Sequence, residues 1–132
     1  MGVRPHLLDT HVLLWLLGEP SRVPAPVRDL LADPEVELLV SAVSALEVAT
    51  KHRLGKLQAG DLLDSWQHRL VDLVATELPV TAEHALLAGR LVWDHRDPFD
   101  RLLVAQAVVE NAVLVTQDSV ILQFDRAPVL GW

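Results

Sequence analysis

Cysteine is absent from this chain, which rules out disulfides and thiolate metal sites and fits a reducing cytosol. Long hydrophobic runs are absent too: Asp9, Thr10 and His11 interrupt the N-terminal candidate before it reaches the roughly eighteen apolar residues a membrane span needs. Neither a span nor a signal peptide is supported, and a cytoplasmic protein is expected. Basic residues are in deficit, with 11 Lys and Arg against 18 Asp and Glu and a formal charge of −7. That balance argues against a general nucleic-acid-coating protein, which neutralises phosphates with Lys and Arg. It leaves open a local acidic site that meets phosphate through metal ions. Aromatic side chains are few, and Trp15, Trp66, Trp93 and Trp132 are four of the six. In a short domain they more often fill core or interface than stack on bases, and Trp66 is a candidate for a subunit contact. Apolar residues are plentiful, at 51% of 132. This suits one compact domain over residues 1–132, undivided by repeat or linker.

The patterning alternates between strand and helix. A short strand ends at Asp9, and Thr10 can cap a helix running to Gly18. Pro20, Pro24 and Pro26 punctuate the chain before a second helix, Ala25 to Ala32. "VELLVS", 36 to 41, reads as a strand and is followed by a helix from about Ala45 that stops at Gly55. "AGDLLDSWQHRLVDLVAT" carries Leu62, Leu63, Trp66, Leu70, Leu73 and Val74 at the spacing of one amphipathic helix. "TELPV" is a short strand, Ala82 to Leu91 a helix, and Pro98 suits the first position of a helix lasting to about Asn111. "AVLVT", 112 to 116, is a buried strand and "APVL", 127 to 130, the last. The alternation predicts an α/β fold with a mainly parallel central sheet between two helical layers.

Ligands of such sheets sit beyond the carboxyl ends of the strands. Asp9 follows the first strand, Glu47 lies in the helix after "LLVS", and Asp118 follows "VLVT". Asp100 sits one turn into the helix begun by Pro98. Carboxylates gathered there repel one another and raise each other's pKa, so a hard divalent cation is the natural counter-charge, and oxygen ligands suit magnesium or manganese. Each acid also has a structural explanation. "SALE", 44 to 47, matches a Ser-x-x-Glu capping box, and Glu47 precedes Lys51 by four residues, a helix-stabilising pair. Asp97 can cap the helix that Pro98 starts, leaving Asp100 free as a ligand. Asp118 and Asp9 can be turn or helix-entry residues. Recurrence at one sheet edge favours the site.

"LLDTHVLLW" (7 to 15), "SALEVATKHRLGKL" (44 to 57), "HRDPFDRLLVAQA" (95 to 107) and "LVTQD" (114 to 118), in this order and spacing, resemble a PIN domain of the VapC toxin type. The resemblance covers nearly the whole chain. It implies a PIN-like three-layer α/β/α sandwich and places an acidic quartet on Asp9, Glu47, Asp100 and Asp118. Thr10 and Thr116 match hydroxyl positions beside the first and last acids, while His11 falls in a variable slot. The activity implied is an endoribonuclease dependent on Mg2+ or Mn2+, in which the cation lowers the pKa of a water and in-line attack leaves a 5′ phosphate. The resemblance also implies a homodimer and a cognate VapB-type antitoxin that covers the acidic groove.

Lys51, His52, Arg53 and Lys56 gather just after Glu47, and Arg96 and Arg101 flank Asp100. Such cations can hold an RNA backbone, with Thr10, Lys51, Arg53, Arg101 and Thr116 as substrate-binding candidates, or can be ordinary solvated helix ends. The scattered histidines offer no His-x-x-x-His pair for zinc. Two phosphotransfer readings, a dehalogenase-like and a receiver-like domain, also put an Asp after the first strand. The first wants a second Asp where His11 stands, and the second a lysine where Thr116-Gln117-Asp118 stands. A free-standing RNA-processing nuclease and a PIN-like binding module without catalysis remain as alternatives, although the module's mark, a broken quartet, is not seen.

Overall fold

The computed structural model describes residues 3–132; Met1 and Gly2, the first two positions of the expected domain, lie outside them. Five strands, β1 (His6–Leu8), β2 (Leu38–Ser41), β3 (Ala75–Leu78), β4 (Val113–Val115) and β5 (Val129–Leu130), form one sheet in the order β3-β2-β1-β4-β5. Every pairing is parallel, with Leu7 opposite Leu39 on one side and Leu114 on the other. The helices are α1 (Thr10–Gly18), α2 (Ala25–Ala32), α3 (Ala42–Arg53), α4 (Gly60–Asp64), α5 (Trp66–Asp72), α6 (Ala82–Arg90), α7 (Pro98–Val109) and α8 (Ser119–Leu122).

A sheet covered on both faces needs strands that are apolar on both sides, and "HLL", "LLVS" and "VLV" supply them. Their alternation separates two cores. Leu7, Leu39, Leu78 and Leu114 face a layer built from α3, α7 and α8 through Val43, Leu103, Val104, Ala107 and Ile121. Leu8, Leu38, Val40 and Val115 face the other way, against Val12 and Leu13 of α1, Leu31 of α2 and Leu70 of α5. This is the expected three-layer arrangement.

Three expectations change. The single amphipathic helix over 59 to 76 is two helices, broken at Ser65, whose hydroxyl donates to the Asp61 carbonyl at 2.7 Å and so competes with continuation of the helix. The face stays apolar across the break, and Trp66 packs against the core of its own chain. Second, α3 starts three residues earlier than expected, because the Ser41 hydroxyl accepts from the Val43 N–H at 3.0 Å. Third, Ser44 is therefore inside the helix, and "SALE" is not a capping box. No described helix is long and apolar enough to cross a membrane.

The strand order reverses direction at β1: the chain moves outward through β2 and β3, then returns to add β4 and β5 on the opposite side. Connections leaving β1 and β4 diverge there, and in open parallel sheets ligands bind at the carboxyl edge of such a point.

Candidate active site

Asp9 leaves β1 at that edge. It stands at the N-cap position of α1 with extended backbone (φ −61°, ψ 149°), yet its carboxylate makes no cap hydrogen bond. The side chain instead accepts from the Thr116 hydroxyl at 2.7 Å. Thr116, at the end of β4, also accepts from the Asp118 N–H at 3.0 Å, so one buried hydroxyl joins the first and last acids. Asp118 caps α8, its Oδ1 accepting from the Val120 N–H at 2.8 Å and the Ile121 N–H at 3.4 Å.

Glu47 lies in the second turn of α3 and is buried, at 5% exposure. Lys51 Nζ donates to its Oε2 at 2.7 Å, whereas Oε1 is buried without any hydrogen-bond partner. A buried carboxylate oxygen with no donor is costly, and a cation would satisfy it. Alongside, Thr10 Oγ1 and Ser44 Oγ meet at 2.9 Å and tie α1 to α3.

Asp100 is in the first turn of α7. Asp97 caps this helix, its Oδ1 accepting from the Phe99 and Asp100 N–H groups at 2.9 and 3.2 Å. Asp100 Oδ2 accepts from His95 Nε2 at 2.7 Å.

Electrostatics link these groups. Burial pushes the Asp9 carboxyl above its usual range, the hydrogen bond from Thr116 opposes this, and the charge of Glu47 adds to the rise. Asp100 is raised to about 6, first by burial, against the hydrogen bond from His95, and then by the charges of Asp97, Asp9 and Asp118. Buried acids that raise each other's pKa are a frustrated set until a positive charge joins them. The ligand atoms of all four acids do not form one tight cluster; among the described residues the group within 4.8 Å of one another is His95, Asp97 and Asp100. A hard divalent cation fits the donor set: oxygen ligands, no thiolate, excess negative charge and one orphaned buried oxygen.

The profile of the PIN domain family matches residues 6–128, a span that holds all four acids. The chain belongs to the PIN-domain family. A relative, ribonuclease VapC22 of Mycobacterium tuberculosis, is 33% identical over 113 residues, covering 85% of each chain. Among solved structures, VapBC from Salmonella typhimurium bound to DNA superposes with a TM-score of 0.73 at 14% identity, over 98% of this chain and 99% of that one. VapBC2 from Rickettsia felis, bound to a promoter DNA fragment, gives 0.69 at 17% identity, over 96% and 98%. At those identities the likeness is one of fold.

Within this PIN domain several sequence expectations change. Arg101 is not available to substrate: its Nε donates to the Ala88 carbonyl at 2.9 Å, Nη1 to Trp93 and His95 at 2.9 Å each, and Nη2 to Leu91 at 2.7 Å. Thr10 and Thr116 are buried with their hydroxyls turned onto protein partners, so they orient neighbours rather than touch substrate. Lys51 is half-exposed but ion-paired to Glu47, and Arg53 is exposed. The sequence gives His95 no role of its own and reads Ser44 only as a helix cap, not as the partner of Thr10. Their partners are five and thirty-four residues away in irregular geometry, a separation for which the sequence carries no periodic signal.

Proposed function

We propose that this chain is an endoribonuclease that hydrolyses RNA phosphodiester bonds with a divalent cation, Mg2+ or Mn2+, held by Asp9, Glu47, Asp100 and Asp118. The observation that carries the reading is the buried Glu47, with one oxygen orphaned, at the same sheet edge as acids whose protons are held unusually tightly. The 33% identity to ribonuclease VapC22 supports the substrate class. Bound among these acids, a divalent cation supplies charge neutralisation at the phosphate and acidifies a water for attack.

The chain's own residues prepare the site. Thr116 fixes the Asp9 carboxylate and, through the Asp118 backbone, the entry to α8. The Thr10–Ser44 contact holds α3, and with it Glu47, against α1. Lys51 keeps one oxygen of Glu47 paired, and Lys51 and Arg53 supply positive charge near Glu47 where a phosphodiester backbone approaches. In this reading one PIN domain acts in the cytoplasm as the toxin of a toxin–antitoxin pair. It pairs with a second copy of itself and is silenced by a VapB-type antitoxin, a partnership favoured by the likeness to the VapC relative and the VapBC folds.

The test is cleavage of labelled total RNA in Mg2+, in Mn2+ and in EDTA, beside Asp100→Asn. Cutting that leaves 5′ phosphates and disappears in EDTA and in the variant is the expected result. Equal cutting by the variant refutes the assignment. Cutting by neither protein in any metal refutes the nuclease.

A further inference from the structure

We infer that His95 is a positioning residue that fixes the rotation of the Asp100 carboxylate, and that Arg101 builds the loop which presents it. The inference rests on the reading of Asp100 as a cation ligand.

The segment between α6 and α7 has no regular structure, yet it is held at many points. Arg101 donates to the carbonyls of Ala88, Leu91, Trp93 and His95, and so draws the end of α6 and the connecting chain around one guanidinium. The Trp93 ring stacks on Phe124, with centroids 4.3 Å apart and planes 13° from parallel, which fastens the loop to the segment after α8. Trp93 also lies 4.9 Å from the His95 ring. The imidazole is thus restrained through its backbone and its ring, and Nε2 is directed at Asp100 Oδ2 at 2.7 Å. Occupying Oδ2 removes one rotational option from the carboxylate and leaves Oδ1 for a ligand. Groups that hydrogen-bond a metal ligand in this way set its direction and are worth about 10–100-fold in metal affinity.

The rival reading is that His95 is a ligand itself, since His95, Asp97 and Asp100 offer ligand atoms within 4.8 Å of one another. Two contacts oppose it. Asp97 Oδ1 already accepts from two backbone N–H groups, and His95 Nε2 is spent on Asp100. A cation at that cluster would have to break the helix cap or the imidazole–carboxylate bond.

The experiment is calorimetric titration of the full chain with Mn2+, comparing the wild type with His95→Ala and His95→Gln, together with electron paramagnetic resonance of the Mn2+-loaded wild type. His95→Ala is expected to weaken Mn2+ binding about 10–100-fold, with partial recovery in His95→Gln, whose amide N–H can donate to the same oxygen. No imidazole nitrogen coupling to Mn2+ is expected in the wild type. Unchanged affinity in His95→Ala, or equal loss in both variants, overturns the positioning role. Imidazole coupling overturns it by making His95 a ligand. A wild type that binds no Mn2+ overturns the metal-centre reading itself, a result distinct from the others.

Discussion

Replacing Asp100 by Asn should make the metal-free protein more stable while removing its activity. Folding holds the Asp100 proton more tightly than the unfolded chain does, since the carboxyl rises from 3.8 to about 6. At about 1.4 kcal/mol for each pH unit, the penalty for ionising the folded protein is roughly 3 kcal/mol. Only 13% of the side chain is exposed, so water screens little of it. The sign follows from proton counting. Below pH 3.8 both states keep the proton and the penalty is absent. Between that pH and about 6 the unfolded chain loses its proton first, so stability falls as pH rises, and above about 6 the loss is complete. Asn carries no charge to desolvate or to repel Asp97, Asp9 and Asp118, and keeps an oxygen that can accept from His95. Thermal unfolding in EDTA at pH 7.5 should therefore show Asp100→Asn more stable by roughly 1–3 kcal/mol, on the order of 4–10 °C for a chain of this length. At pH 4 the advantage should shrink toward zero. A variant no more stable than the wild type at pH 7.5, or one whose gain persists undiminished at pH 4, refutes the reasoning.

Asp97→Ala removes the acceptor of two N–H groups at the start of α7 and should lower stability by about 1 kcal/mol in urea unfolding, while cleavage in Mg2+ persists. Asp118→Asn keeps a good cap and should leave the unfolding midpoint within roughly 0.5 kcal/mol of wild type while abolishing cleavage, which separates the two duties of that residue. Arg101→Lys cannot serve four carbonyls spread over a planar fork, and a loss of roughly 2–3 kcal/mol with faster amide exchange across residues 91–97 is expected. Lys51→Met leaves Glu47 without its cation partner; in EDTA it should unfold earlier than the wild type by roughly 1–3 kcal/mol, and added Mn2+ should recover most of the difference.

The central strands are legible because "HLL", "LLVS" and "VLV" are short apolar runs that a parallel sheet buried on both faces needs, while edge strand β3, "ATEL", is half polar. The places of Asp9 and Asp118 are legible because each follows the end of an apolar strand. Asp97 is legible as a helix cap, since Pro98 fixes where the helix begins. Ser65 was missed because an apolar face continues across the break, and periodicity registers the face rather than the backbone. The "SALE" box failed for a similar reason: the motif is local, but Ser41 had already supplied the cap and Ser44 was recruited by Thr10 across the fold. Arg101 looked like a surface cation because its charge is visible in the sequence and its four carbonyls are not. His95 carried no signal, because its meeting with Asp100 depends on a loop whose path is set by that same arginine.

The hydrogen bond from Thr116 to Asp9 joins residues 107 positions apart. During synthesis, then, Asp9 waits without its partner until the chain has grown by 107 further residues. The outward-then-return order of the sheet means that β2 and β3 are made before β4 can join β1. A chain cut short before residue 113 can form three paired strands and still possess no assembled centre, because Asp118 and the hydroxyl that aligns Asp9 are both missing. Chains stopped before Thr116 should therefore be inert, however well their first strands pair.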